Sequence, residues 1–246
     1  MILNAFVNLW FAPHHEIAQI QLDIYTDSVK AGDIDIAAYA IGLHYRFALF
    51  SGSQKLSAVA RGMRSAIQEF SKFNVELLSF GVLDILLIDS LTGDDSEPFS
   101  ACEGEELENE DSLIEHAKAS NQSVVFVYVS YFMKAFWCGD YREAKKYYAM
   151  AEVLPSFQVP PKVQVLNAMF YHGLISFQSF RCGQGEENFE KGKATLEKVK
   201  LWAPNCEHTF HNKLLLLEAE CESNYCDIFP PRDLFNRFSF RFRVNV

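Results

Sequence analysis

The sequence of 246 residues predicts an all-α fold in which antiparallel helical hairpins stack as a superhelix, an α-solenoid. Three observations predict it. Apolar residues recur at three- and four-residue steps through most of the chain, and short turns containing Gly or Gly-Asp separate these segments. No convincing strand pattern occurs before residue 225. Because 49% of the residues are hydrophobic, the chain can bury a large core.

The central hairpin, residues 128–155, shows the repeat most clearly: a helix, a Gly-Asp turn and a second helix. Its spacing is typical of the tetratricopeptide repeat. Ala144 and Ala151 lie two turns apart on one face, where small side chains let a partner helix approach closely. A single hairpin cannot bury this face alone, so we expect neighbouring hairpins. The matching positions are Tyr128, Gly139, Tyr141, Ala144, Tyr148 and Ala151, with the closing proline displaced to Pro155.

Residues 1–92 predict N-terminal helical hairpins. The apolar pattern at Met1 starts without a capping residue, so we expect an arbitrary start inside a helix and a chain that is a fragment of a longer protein. Pro13 predicts the first turn of a helix over 14–31. Gly32 and Asp33 then end this helix and cap the next, 33–50, and the same Gly-Asp-x-x-x-Ala turn recurs at Gly139.

Two further helices complete this first part. The turn at 51–53 precedes an amphipathic helix, and residues 75–91 are apolar nearly all round, which is typical of a helix packed between neighbours. The buried face of the amphipathic helix is predicted to contain Leu56, Val59, Met63, Ile67, Phe70 and Phe73.

Residues 93–111 differ in composition, with nine acidic residues and no basic one. Such a charge run is typical of a solvated loop between hairpins. A docking site for a basic partner or a metal ion is the alternative.

Residues 112–224 predict a second set of tetratricopeptide-like hairpins. After a short helix at 113–119 and the central hairpin, we expect helices over 161–180 and 187–202 joined by a turn at 182–185. A further helix over 210–221 is predicted to bury a run of four leucines, 214–217.

The tail, residues 225–246, departs from the helical pattern. Phe238, Phe240 and Phe242 alternate as in a strand, and four arginines accompany them. The tail is either a basic, aromatic contact for membrane or RNA, or an ill-fitting end such as a truncated or misread gene model. We expect an atypical, irregular segment.

Composition limits the classes of partner and the compartment. A net charge of -10 argues against nucleic acid and makes acidic partners unexpected. The six cysteines lack paired spacing, which is typical of reduced thiols in a cytoplasmic protein. No segment is long and apolar enough to predict a membrane span.

Two motifs resemble chemical sites. His208 and His211 lie one helical turn apart near Cys206 and Cys221, so a zinc site is conceivable, but surface or capping histidines explain this spacing more simply. Residues 191–194, Lys-Gly-Lys-Ala, resemble the end of a phosphate loop. However, Glu187 stands where the first glycine is required, and Ala194 lacks the hydroxyl that binds magnesium. The sequence therefore predicts no catalytic residue, no metal ligand and no cofactor.

Aromatic residues in the central hairpin have the spacing of a core rather than of a ligand box. A peptide-carboxylate clamp would need basic or amide side chains where Val129 and Met133 stand, so that kind of binding is not expected. If a concave surface binds anything, we expect a peptide or a helix held by the hairpins' first helices. The core aromatic residues are Tyr128, Tyr131, Phe132, Phe136, Tyr147 and Tyr148.

Four stretches, 6–13, 31–52, 139–144 and 200–220, together resemble a known family. This is the tetratricopeptide-like helical region of multidomain signalling proteins that carry a predicted ATPase module, often with a serine/threonine kinase before it or a histidine kinase after it. The most specific block contains Trp202, Cys206, Phe210, His211, Lys213, Leu216, Glu218, Ala219 and Glu220.

The resemblance implies a non-catalytic helical-repeat scaffold or regulatory segment that mediates protein–protein interaction in a signal-transduction ATPase or kinase. Its partners would be proteins or peptides, including other modules of the same polypeptide. The alternative is a free-standing tetratricopeptide-like interaction module; a metal-binding protein or enzyme is a remote one. The ATPase, kinase and sensor modules are not in this sequence, and the tail replaces the helices expected after Glu220. No catalytic residue of the family can therefore be assigned here.

Overall fold

The computed structural model describes residues 7–70, 73, 78–93, 123–158 and 163–224, and within these ranges the chain is all-helical, without a strand. The residues of the acidic segment after Gly93, the short helix expected at 113–119 and the tail 225–246 lie outside the described residues. After a short 3-10 helix, Asn8–Trp10, the α-helices are α1 His14–Ala31, α2 Ile34–Ser51, α3 Leu56–Phe70, α4 Leu78–Thr92, α5 Ser123–Cys138, α6 Tyr141–Glu152, α7 Pro155–Gln158, α8 Val163–Arg181, α9 Glu186–Trp202 and α10 Glu207–Ser223.

The repeated Gly-Asp turn predicted from the sequence is confirmed. Gly32 and Gly139 end α1 and α5 with φ angles of 75° and 82°, a left-handed conformation that favours glycine. The following aspartates cap the next helices: Asp33 Oδ1 accepts from the Ile36 backbone N–H at 3.2 Å, and Asp140 Oδ1 accepts from that of Glu143 at 3.1 Å. Each turn thus ends one helix and starts the next within two residues.

Consecutive helices pack as antiparallel hairpins, as α8 and α9 illustrate. Phe180 near the end of α8 contacts Phe189 near the start of α9, with ring centroids 4.9 Å apart. Gly173, two turns earlier in α8, lies against Thr195, further along α9. The helices α1 and α2, α3 and α4, and α5 and α6 form the other pairs.

The central hairpin buries the positions that its spacing predicted. Ala144 and Ala151 are 0% exposed, and Tyr148 lies between them against Phe132, with ring centroids 5.5 Å apart. Pro155 begins the four-residue helix α7. The aromatic side chains therefore pack in a core, centred on α5, that extends to α8.

The largest core joins helices that are distant in sequence. It contains Ile17, Phe47 and Ile85 from the first four helices together with Phe177 and Leu217 from α8 and α10. The helix α2 also contacts α8 directly. In an open stack, each hairpin contacts only its neighbours. The contacts between the first four helices and α8 and α10 go beyond that arrangement.

The N-terminal segment reaches the last described helices. The ring centroid of Trp10 lies 5.5 Å from that of Trp202 and 5.7 Å from that of Phe210. Two ends of the described chain are thereby held together by aromatic packing.

A buried ion pair and a neighbouring amide connect three helices. Arg46 of α2 donates from Nε to Asp84 Oδ2 of α4 at 2.8 Å, and both side chains are almost fully buried. With its amide oxygen facing the guanidinium, Gln164 of α8 accepts from Arg46 Nη1 at 2.9 Å. Burial raises the pKa of Asp84, and the Arg46 charge opposes this rise. We name Arg46, Asp84 and Gln164 the polar junction.

Two details of the predicted buried faces are wrong. The leucine run is not buried as a block: Leu217 is fully buried, Leu215 is 50% exposed, and Leu214 and Leu216 are partly buried. Successive residues of a helix point about 100° apart, so four in a row cannot share one face. Phe73, predicted on the buried face, lies beyond the end of α3 and is 46% exposed.

The start of one helix also differs from the prediction: α10 begins at Glu207, three residues before 210. The helix α1 begins at His14, as predicted, with Pro13 as its N-cap. The segment that precedes Pro13 forms a short 3-10 helix over Asn8–Trp10, where an α-helix was expected. Among the described residues, no helix is both long enough and apolar enough to cross a membrane.

Candidate interaction surface

The first helix of the central hairpin does not present the positions at which a peptide clamp would need polar groups. Val129 and Met133 are each 1% exposed and belong to the core around α5. Their burial explains why these positions are apolar. Interaction chemistry has to be sought on other helices.

Basic side chains gather where α8 packs against α6 and α9, which are the second helices of the hairpins α5–α6 and α8–α9. The group contains Lys145 of α6, His172 of α8, and Lys191 and Lys198 of α9. We name these four residues the lysine surface. Lys145 of α6 donates from Nζ to Ser179 Oγ at 3.1 Å and to Gln184 Oε1 at 2.7 Å, so its side chain lies across the end of α8. These acceptors are neutral, so the Lys145 charge is not compensated by them.

His172 lies in the middle of this surface. Its ring stacks on Tyr148 of α6, with parallel planes and centroids 3.7 Å apart. Burial, together with the charges of Lys191, Lys145 and Lys198, lowers the pKa of His172 to about 3. The imidazole is therefore neutral at pH 7, and the three ammonium groups act together on it.

The lysines of α9 fall into two sets. On one face, Lys193 pairs with Glu190 at 3.5 Å and Lys200 with Glu197 at 2.9 Å, each across three residues. On the other face, Lys191 and Lys198 are exposed, and within the described part of the chain neither forms an ion pair.

Glu187 has the sequence position of a partner for Lys191, one turn before it in α9. Its carboxylate instead folds back over Gly185 at the start of the helix: a Cβ placed on Gly185 would lie 2.3 Å from Glu187 Oε2. Negative charge is favourable at a helix N-terminus, which accounts for this orientation. Lys191 is left without its expected partner.

A second basic group is buried where the N-terminal segment meets α10. Burial lowers the pKa of His14 to about 4, and the Lys213 charge contributes. Burial also lowers the pKa of Lys213 to about 8, while its Nζ donates to the Thr209 carbonyl at 3.0 Å. Cys206 Sγ lies 3.6 Å from the Ala12 carbonyl oxygen. The Cys206–Ala12 contact, together with the packing of Trp10 on Trp202 and Phe210, connects the two ends of the described chain.

The four residues of the conceivable zinc site do not come together in the structure. His208 and His211 are exposed, whereas Cys206 is buried and Cys221 is half-buried. In the described ranges, no three His, Cys, Asp or Glu side chains are grouped so as to hold a metal ion. Cys138, Cys182, Cys206 and Cys221 are free thiols.

The stretch that resembles a phosphate loop lies inside the helix α9. Gly192 faces the Phe177 ring of α8, and a Cβ at this position would lie 2.6 Å from Phe177 Cε1. The glycine is therefore explained by close helix packing. No loop is available here to surround a phosphate.

Sequence reasoning missed the lysine surface. The spacing of Lys191 and Lys198 on one face of a helix was available as a signal, although Glu187, the fourth residue before Lys191, has the spacing of a local ion pair. Only the tertiary structure brings Lys145 of α6 to the same surface.

No family model, no curated protein and no solved structure matches this chain.

Proposed function

We propose that this chain is a non-catalytic helical-repeat scaffold or regulatory segment, which mediates protein–protein interaction in a cytoplasmic signal-transduction ATPase or kinase. The observation that carries the proposal is the lysine surface. Its lysines come from α6 and α9, which both pack against α8, and none of the three contacts a carboxylate in the described chain. The resemblance of residues 200–220 to the helical region of such signalling proteins supports the choice of system.

Stacking of tetratricopeptide-like hairpins as a superhelix is part of this proposal. Support comes from the repeated Gly-Asp turns at Gly32 and Gly139 and from the buried Ala144, Tyr148 and Ala151 of the central hairpin. Helical-repeat proteins use their extended surfaces to bind proteins or peptides. Partners include other modules of the same polypeptide.

The parent protein can be tested by reading the full transcript around this sequence. An in-frame phosphate-loop module upstream of Met1 is the expected result. A stop codon just before Met1, together with a stable product of this length in cells, would favour the free-standing interaction module instead.

The non-catalytic role can be tested with the isolated chain. We expect no ATP hydrolysis above a no-protein blank, because the residues at 187–194 form a helix rather than a phosphate loop. Appreciable turnover by pure protein, retained through two chromatographic steps, would contradict both forms of the proposal.

A further inference from the structure

We propose that the lysine surface binds an acidic peptide segment of a partner protein through Lys145, Lys191 and Lys198. This inference rests on the proposed function and deepens it, because it names the chemistry of the partner and the helices that receive it. The sequence alone predicted binding by the hairpins' first helices. The second helices, α6 and α9, are the ones that supply these charges.

Charge availability is the first argument. Lys193 and Lys200 already have carboxylate partners on their own helix. Lys191 and Lys198 have none among the described residues, and Lys145 contacts only neutral oxygens there. An anionic ligand would gain charge-assisted hydrogen bonds at the lysine surface without breaking an existing ion pair.

Distance along the helix is the second argument. Lys191 and Lys198 are seven residues apart, which is about 10 Å along a helix axis. Lys145 comes from α6, on another helix packed against α8. A single carboxylate or phosphate would satisfy only part of this group of charges. A segment with several Asp or Glu side chains can satisfy the rest as well.

Convergence is the third argument. The Tyr148–His172 stack joins α6 to α8, and the contact between Gly173 and Thr195 joins α8 to α9. Burial is the main cause of the lowered pKa of His172, and the charges of the three lysines add to it, so all three ammonium groups lie within electrostatic reach of this imidazole. Three ammonium groups thus act around one imidazole on a chain whose net charge is -10.

The net charge argued against acidic partners, and the lysine surface is the reason to revise that expectation. Net charge is a sum over the whole chain, whereas a short ligand responds to the potential within about 10 Å of its site at ordinary ionic strength. A nucleic acid extends well beyond that distance and meets the net negative chain. Local lysines on a chain of negative net charge therefore favour a short acidic peptide over nucleic acid.

The test measures fluorescence anisotropy of fluorescein-labelled deca-glutamate with the full chain in 50 mM salt. We expect saturable binding that the double variant Lys191→Glu/Lys198→Glu weakens at least about tenfold, because like charges then face the probe. The matched control, Lys193→Glu/Lys200→Glu, changes the net charge equally on the other face of α9. We expect it to change the dissociation constant less than about twofold, since exposed charges away from the site are screened.

Three results would overturn the inference: no saturable binding by the folded wild-type chain, equal weakening by both double variants, or equally tight binding of a ten-nucleotide oligothymidine. Circular dichroism of each variant checks that its helices are intact. Lys191→Gln/Lys198→Gln supplies a milder pair of changes and should weaken binding in the same direction.

A crosslinking experiment separates failure of this inference from failure of the proposed function. A photoreactive amino acid replaces Ala194, which lies between Lys191 and Lys198 on the exposed side, or Leu215 on α10, in the full-length protein in cells. Crosslinking of an acidic segment at Ala194 supports the inference. Partner crosslinks only at Leu215 would overturn it and leave the scaffold function standing, and crosslinks at neither position would count against both.

Discussion

Two groups of charged side chains, each built from three helices, have opposite environments in this molecule. The polar junction places Arg46 and Asp84 in the core, where Gln164 completes the hydrogen bonding. In the lysine surface, Lys191 and Lys198 are exposed, and neither has a carboxylate partner in the described chain. Burying an unpaired charge is costly, so buried charges must be matched within the fold. Exposed charges need no match and remain available to a partner.

We expect the largest effect from a substitution that breaks the polar junction. Asp84→Ala removes the Asp84 carboxylate from the buried Arg46 guanidinium, and we expect it to lower the free energy of unfolding by about 3–5 kcal/mol. Urea denaturation followed by circular dichroism measures this. The matched control is Asp89→Ala on the same helix, which removes a half-buried partner of Arg64. Equal losses in the two variants would show that burial does not set the importance of the Arg46–Asp84 pair.

Acid gives a second test of burial, because a histidine buried in its neutral form is costly to protonate. The pKa of His14 is about 4 in the fold and 6.5 as the ordinary value, so protons bind the unfolded chain more tightly. Its contribution to stability is complete above pH 6.5 and is lost as the pH falls towards 4. We expect a loss of up to about 1.4 kcal/mol per pH unit from this group within that window. His172 acts in the same direction.

Urea denaturation at pH 7, 6 and 5 tests this expectation. His14→Gln should reduce the pH dependence, whereas His208→Gln, at an exposed position, should leave it unchanged. If both variants keep the wild-type slope, the His14 assignment is wrong.

A third prediction concerns the packing that holds α9, and with it the lysine surface, against α8. Gly192→Ala would place a Cβ 2.6 Å from Phe177 Cε1, and Phe177 is fully buried. We expect a loss of about 1–3 kcal/mol from overpacking. The control is Gly42→Ala in α2, where nothing lies within 4 Å of the added Cβ. That variant should gain up to about 1 kcal/mol from helix propensity, so thermal melts should move in opposite directions.

The smallest expected effect concerns the exposed group. Lys191→Ala/Lys198→Ala should change the free energy of unfolding by less than about 0.5 kcal/mol, because surface substitutions away from specific contacts rarely do more. The same urea titration as for Asp84→Ala measures it. A loss above about 1 kcal/mol would mean that these lysines stabilise the fold, and their availability to a partner would then be in doubt.

Prediction from sequence succeeded where the signal is local. The bounds of α1 and the Gly32-Asp33 turn follow from a terminating glycine and a capping aspartate, which act within a few residues. The burial of Ala144 and Tyr148 follows from spacing on one helix. The leucine run failed because a block of apolar residues was treated as one face.

Prediction failed or was silent where the partner is distant in sequence. Arg46 lies 38 residues from Asp84, and nothing in the spacing pairs them. The lysine surface needs Lys145 and Lys191, which stand on helices separated by α8. Glu187 has the helical spacing to pair with Lys191, but the fold places its carboxylate over Gly185 instead.

The sequence by itself therefore determined the helical class, most helix bounds and the Gly-Asp turns, because hydrogen bonding, capping and apolar periodicity act over one or two helical turns. Only the tertiary structure decided which charges are matched in the core and which remain exposed, and that Trp10 packs on Trp202. The physical reason is that pairing and burial depend on distances between helices, which form through contacts across the whole chain and leave no local pattern in the sequence.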